Sequence, residues 1–349
     1  MIQPVRNAAN AIKAVSTHIQ VAYDLGREAC WEGVPGMVDL LDGGRRKGFL
    51  ESPDTLYSIG FINIERGYNY RVIVMPSCAF CTVISLHSAD RQSSLEFFND
   101  TSRHSEYPVS ALLGDGLSGP DKIDSSAYSG MTQVMVRQYF YDRKHSQDLP
   151  LPVIERSGLM AQALSGKKKI SARYEVTSKF LRWRLRMLFG MKYMQMRLGD
   201  KLPRNKFVTS EEVALLFRGI KTSLARIGIS TFHYLVCMFD IKESQVMRIH
   251  YRPSKNRYFA FCLNNNWMQG LDIKNREAVH LNSRQMKMDR EGGYTLYVGN
   301  QDPGLGNFLD LGDCSQGVIS FREIGTEGEA RRPHCEVLTY QNLYETSNR

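Results

Sequence analysis

Gly130-Met-Thr-Gln-Val-Met-Val-Arg137 and Ser315-Gln-Gly-Val-Ile-Ser-Phe-Arg322 each end an alternating run of apolar residues in an arginine. A period of two is the mark of a β-strand with one buried face. A second echo pairs Glu65-Arg-Gly-Tyr-Asn-Tyr-Arg-Val72 with Arg290-Glu-Gly-Gly-Tyr-Thr-Leu-Tyr-Val298, each a charged, glycine-containing turn that leads into an aromatic-led strand. Duplication of a β layer, with helices inserted between the copies, accounts for both echoes. Matches this short also arise by chance. The expected fold is mainly β with a helical insertion, built as β-sandwich or jelly-roll-like layers.

Further strands read outward from these. Leu56–Ile62, Tyr68–Val74, Thr82–Leu86, Gln133–Phe140, Val246–His250 and Tyr258–Cys262 are short, β-branched or aromatic runs bounded by turn residues. The polar stretch Asp90–Asp124 reads as loop and hairpin. Residues 1–30 read as a helix, and Met1–Gly26 has the spacing of an amphipathic helix rather than of a secretory signal. Helical periodicity returns after Pro152, with Phe180, Trp183, Met187, Met191, Met194 and Leu198 as one apolar stripe and Arg182, Arg186, Tyr193 and Arg197 on another face. Thr209 or Ser210 is placed to cap a further helix. The expected organisation is an N-terminal helix and loop over 1–50, a first β region over 51–150, a basic helical insertion over 151–230, a C-terminal β domain over 231–326, and a tail over 327–349 given no firm structure.

The chain has 349 residues, 42% hydrophobic and 10% aromatic, enough to bury sizeable cores. No apolar run reaches the roughly 18 residues that a spanning helix needs. Seven dispersed cysteines suit free thiols in a reducing compartment, so a cytoplasmic location is expected. Cys78-Ala-Phe-Cys81 runs into a strand, not a helix N-terminus, and lacks a second pair for zinc. The net charge of +9 is local. Lys167–Lys206 holds 13 Lys or Arg against Glu175 and Asp200, a balance of +11, which leaves −2 for the rest.

The C-terminal runs Trp267-Met-Gln-Gly-Leu-Asp272, Leu281-Asn-Ser-Arg-Gln285 and Asp302-Pro-Gly-Leu-Gly-Asn-Phe-Leu-Asp310 match no signature derivable from chemistry. With Asp54 in Ser-Pro-Asp-Thr-Leu-Tyr57 and with Val136–Arg143, they resemble the bacterial domain-of-unknown-function 1214 family. That resemblance covers most of residues 50–325. It implies a largely β sandwich or jelly roll with a helical insertion, and no reaction. Phe308 stands where that family usually has Trp, and Leu311-Gly-Asp-Cys314 where it has a Gly-His pair.

The ligand-binding candidates are Asp54, Tyr57, Arg137, Trp267, Asp302, Asn307, Asp310 and Arg322; no catalytic residue is assigned. Asp302, Asn307 and Asp310 are turn residues first, with oxygen ligation as the alternative, and together with Arg322 they are expected beside one cavity. Arg137 and Arg322 end apolar strands and need partners. These are either structural partners such as Asp142 or Asp310, or an anionic group held in a bidentate bond. The eight histidines show no metal spacing, although His87 and His104 flank one polar loop. There is no phosphate-binding glycine loop or GxSxG elbow, so neither metal nor other cofactor is expected. The expected partner is a small organic or carbohydrate-like ligand, bound or processed in a pocket of the β domains. The alternative is docking of the basic helix on an anionic membrane or partner, with Phe180, Trp183 and Phe189 as interfacial anchors. Nucleic acid is disfavoured, and a hydrolase or lyase comes third.

Overall fold

The computed structural model describes residues 3–28, 36–39, 50, 52–64, 68–88, 92–99, 107–142, 144, 149–158, 166–198, 203–209, 212, 232–271, 279–326 and 331–347. The chain divides into two compact units. The N-terminal unit holds residues 8–48 and 53–190; the C-terminal unit holds 1–7, 49–52 and 191–349.

In the N-terminal unit, α1 (Gln3–Glu28) enters at residue 8. The strands follow as β1 (Val38–Asp39), β2 (Thr55–Ile64), β3 (Tyr68–Val74), β4 (Cys81–His87), β5 (Gln92–Phe98), β6 (Val109–Gly114), β7 (Lys122–Asp124), β8 (Gly130–Tyr139) and β9 (Val153–Gly158). Helix α2 (Gly166–Leu198) belongs to this unit as far as Gly190. One sheet runs β1-β2-β8-β4-β5 and the other β7-β6-β3-β9. The central strand β8 explains the packing. Val134 and Val136 point between the sheets and join Ile62, Val72, Ile84 and Leu113 in one apolar core. Met131 and Met135 point the other way, against Val21, Ala22 and Leu25 of α1 and Val176 and Phe180 of α2. Two helices therefore cover the outer face of the first sheet. The Thr177 hydroxyl donates to the Ala22 carbonyl at 3.1 Å, tying the helices together.

The C-terminal unit repeats the plan. Its strands are β10 (Phe207–Thr209), β11 (Phe232–Asp240), β12 (Gln245–Tyr251), β13 (Tyr258–Asn264), β14 (His280–Asn282), β15 (Tyr294–Gly299), β16 (Asn307–Asp310), β17 (Gln316–Ile324) and β18 (His334–Thr339), followed by α3 (Tyr340–Ser347). Its sheets run β10-β11-β17-β13-β14 and β16-β15-β12-β18. Strand by strand this is the order of the first unit, down to the parallel pairs β6–β7 and β15–β16. Its core is strongly aromatic. Tyr251 and Phe261 stand 4.9 and 4.8 Å, centroid to centroid, from Phe321, within the range in which aromatic pairs add to plain burial.

The mainly β fold with a helical insertion is as expected, and the Gly130 and Ser315 echo falls on the corresponding strands β8 and β17. The Glu65 and Arg290 echo does not. It leads into β3 and β15, the third and sixth strands of their units, so it reflects the chemistry of any glycine turn before an aromatic strand. The loop expected over Asp90–Asp124 contains β5, β6 and β7. Strand β5 is half-buried throughout and opens with Gln92, Ser93 and Ser94, which hides its periodicity. The polar tail supplies β18, paired with β12. At the start of the helix expected near 210, Thr209 is the cap. Its hydroxyl accepts from the Glu212 amide at 3.1 Å, and the Glu212 carboxylate accepts from the Thr209 amide at 2.8 Å, a capping box.

Candidate functional site

The face of the first sheet beneath α1 and α2 carries three rows set by register: Tyr57–Arg137–Val83, Ile59–Met135–Ser85 and Phe61–Gln133–His87. Residues directly opposite share a face, so Arg137, Ser85, Gln133 and His87 all face the helices. Arg137 is only 6% exposed. Its Nε donates to the Met135 sulfur at 3.1 Å, which lays the side chain back along β8 toward the Gln133 row. Among the described residues its terminal nitrogens find no hydrogen bond or ion pair. Asp142, the carboxylate considered for it, accepts instead from the Lys144 amide.

Arg184 reaches the same face from α2. It lies on the stripe Val176, Phe180, Arg184, Leu188, all buried, with its guanidinium 5.4 Å over the Phe180 ring. Burial, and then the charge of Arg137, pull its pKa down to about 10. His18 of α1 is likewise buried, with Nδ1 unpartnered. Burial, then Arg184, lower its pKa to about 3. Burial, then Arg137 and Arg184, hold the His87 ring well below its ordinary value. Gln133 is buried with Nε2 unpartnered. Two cations, two imidazoles of lowered basicity and an amide thus share one buried face. Coulombic repulsion between the cations disfavours the set as it stands.

Ser85 and His87 approach to 2.8 Å, Oγ to Nε2. That contact does not make a nucleophile pair. The Ser85 hydroxyl also lies 3.2 Å from the Met135 carbonyl, to which it donates, and a His87 of such low basicity is a poor proton acceptor. Among the described residues the terminal nitrogens of Arg137 have no acceptor, and an oxyanion would supply one.

Of the residues singled out from sequence, Tyr57 and Arg137 are direct cross-strand neighbours on this face. Asp54 is buried at the start of β2, where its carbonyl accepts from the Phe140 amide. In the C-terminal unit, Asp302 accepts from the Gly304 amide at 2.8 Å and Asp310 from the Gly312 amide at 2.6 Å, both turn contacts. Asn307 clamps Lys287 and Thr295 through backbone bonds. Arg322 is not brought to them. Leu309 and Phe321 fill the core between the sheets, so Asp310 and Arg322, each one residue further on, face outward from opposite layers. Arg322 donates to the Leu50 carbonyl at 3.1 Å and lies 5.8 Å from the centroid of the Tyr234 ring. Trp267 packs under the Lys192 ammonium at 4.9 Å.

Sequence reading missed Arg184, His18, His87, Ser85 and Gln133 as a set. A signal for Arg184 existed: it sits four residues after Phe180, on a buried stripe, in a segment whose cations a charge count takes together. Phe180 is 1% exposed and so is no membrane anchor. His104 and Trp183 lie outside the described side chains.

A second buried polar cluster closes one end of the C-terminal core. Glu323 is fully buried, and its Oε1 accepts from Tyr251 at 2.6 Å and from Ser254 at 2.8 Å, and also from Asn256. The other unit has Gln138 donating to Ser77 at 3.0 Å at the matching place, so this cluster is a strand-to-loop clamp common to both units.

No protein-family model matches the chain, and no curated protein matches it. Among solved structures, the chain is similar to an uncharacterised protein of Burkholderia cenocepacia, with a TM-score of 0.74 and 17% identity over 96% of this chain and 89% of that one. A Vibrio parahaemolyticus protein matches at a TM-score of 0.49 and 11% identity, covering 95% of this chain and all of that one. The first likeness shows the fold alone; the second carries no argument.

Proposed function

We propose that the chain binds a small organic anion on the helix-covered face of the first sheet, with Arg137 as the anchor. The observation that supports this is the Arg137 guanidinium itself, more than nine-tenths buried with no partner for its terminal nitrogens among the described residues. A buried uncompensated charge is costly, and an anion that supplies bidentate acceptors relieves it. Charged donors fit an anion better than a neutral carbohydrate. The free cysteines favour a reducing, cytoplasmic setting, and the resemblance to the domain-of-unknown-function 1214 family, which implies no reaction, is compatible with a binding role.

Calorimetric titration with small carboxylates and phosphates tests the reading. Arg137→Gln should remove binding, and Arg322→Gln, whose arginine is already satisfied, should leave it intact. Binding unaffected by Arg137→Gln would sink the proposal.

A second reading keeps α2 as a docking surface for an anionic bilayer. It rests on one exposed row, Lys179, Arg182, Arg186 and Phe189, with Phe189 50% exposed. Sedimentation with phosphatidylserine vesicles at low salt tests it, and protein that stays in solution rules it out.

A further inference from the structure

We infer that Cys237 and Cys335 are a redox-sensitive pair, which a hydroperoxide closes into a disulfide bridging the two sheets of the C-terminal unit. Both side chains lie between those sheets. On β11, Leu235, Cys237 and Phe239 share the face that fills the aromatic core, and on β18, Cys335 and Val337 pack against that same core. Strands β11 and β18 belong to opposite sheets. Both thiols are free, and the Cys237 thiol donates a hydrogen bond to the Cys335 sulfur. A sandwich accepts a bridge of this kind: antibody domains carry their disulfide between facing sheets.

The two thiols differ in ways that divide the chemistry. Cys237 is 0% exposed. Its hydrogen bond to Cys335, and then burial, hold its thiol well above the ordinary cysteine value, so it keeps its proton. Cys335 is half-buried and stands on an edge strand that pairs with β12 alone. The Cys335 thiolate therefore attacks the hydroperoxide first. Its sulfur takes one oxygen, the O–O bond breaks, and the leaving oxygen picks up a proton, which leaves a sulfenic acid on Cys335. The Cys237 sulfur then attacks the Cys335 sulfur. Its proton goes to the departing hydroxyl, and water leaves. The hydroperoxide gains two electrons and the pair of thiols loses two. A dithiol reverses the bridge by exchange. In a reducing compartment a disulfide is a transient, sensing bond rather than a permanent strut. Strand β18 runs straight into α3, whose Leu343 is buried against Val246 and Tyr297. The bridge thus fastens the C-terminal segment to the facing sheet and closes a loop of about 100 residues, a length whose closure stabilises strongly in the chain-entropy account.

Reduced wild-type protein, treated with equimolar hydrogen peroxide and digested without reductant, tests this by mass spectrometry. The expected product joins the Cys237 and Cys335 peptides and is lighter than their sum by two hydrogens. The thermal midpoint should rise by about 5 °C or more and return with dithiothreitol. Cys335→Ser, a conservative change at a half-buried position, should abolish both the joined peptide and the reversible rise. Cys237→Ala should leave Cys335 as a sulfenic acid that dimedone traps. Wild type in which Cys237 and Cys335 stay unjoined, whichever cysteine is oxidised instead, overturns the inference. So does a reversible rise that survives in Cys335→Ser. If Cys237→Ala fails to fold, the wild-type digest and Cys335→Ser still decide it.

Discussion

Replacing His18 with Gln should flatten the acid side of the stability profile. His18 is 3% exposed, and its pKa falls from 6.5 to about 3, first through burial and then through Arg184. The unfolded chain takes up the proton near pH 6.5; the folded chain resists until about pH 3. Between those values the unfolded state binds more protons, so stability falls as the pH falls. The contribution is whole above about 6.5 and is lost progressively toward 3. Each pH unit in that window costs about 1.4 kcal/mol for one such group. Moving from pH 6.5 to 5 therefore removes about 2 kcal/mol. His87 shifts in the same direction and steepens the same slope. Urea midpoints of wild type and His18→Gln, taken at pH 7.5 and 5.0 in equal ionic strength, isolate the His18 share. Wild type should lose about 2 kcal/mol more than the variant. Equal losses in the two proteins would refute the buried, neutral imidazole, as would a His18 ring that titrates near 6.5 by NMR. A bound anion should raise the basicity of this ring and shrink the difference.

Two glycines should respond oppositely to alanine. At Gly317 a Cβ would meet the Asn264 carbonyl oxygen at 2.3 Å and the Phe239 ring at 2.7 Å, so Gly317→Ala should cost about 1–3 kcal/mol by overpacking. At Gly190, within α2, a Cβ meets nothing within 4 Å, and Gly190→Ala should stabilise by about 0.5–1 kcal/mol; thermal unfolding with the signs reversed would contradict the packing at both places. Tyr251→Phe removes one of the donors to the buried Glu323 carboxylate and should cost about 1.5–3 kcal/mol. A change in the urea midpoint equivalent to less than about 0.5 kcal/mol would show that Ser254 and Asn256 satisfy that carboxylate by themselves.

Strands with one wet or one helix-covered face announce themselves by alternation, and β2, β3 and β8 were legible for that reason. Strand β5 was not, because Gln92, Ser93, Ser94 and Glu96 take four of its seven half-buried positions, and their polarity imitates a loop. Strand β18 was hidden in a charged tail, since it pairs with β12 alone and keeps much of its length exposed. The site was half legible. An arginine that ends an apolar strand marks Arg137, but Arg184 is one of 13 cations in its segment, and a charge count treats them alike. Only the four-residue phase Val176, Phe180, Arg184, Leu188 separates the buried arginine from its solvated neighbours. His18 follows the same logic on α1, on the buried line through Ala14, Ala22 and Leu25. That these side chains meet depends on two helices laid across one sheet, a long-range fact that no local pattern encodes.

The repeat serves as an internal control for function. Arg137 and Arg322 hold corresponding positions, each directly opposite a tyrosine, Tyr57 or Tyr234. Their surroundings have diverged. The partners of Gln133, His87 and Ser85 in the second unit are Val318, Asn264 and Cys262. The Arg322 guanidinium is satisfied within its own unit by the Leu50 carbonyl, the bland outcome expected for a strand-end arginine. The same scaffold therefore tolerates an arginine at this point without any ligand. What sets the first unit apart is that, among the described residues, the terminal nitrogens of Arg137 have no acceptor and that Arg184, His18, His87 and Gln133 lie on the same covered face. A fold that needed the arginine only for structure would satisfy it in both units; it is satisfied in one.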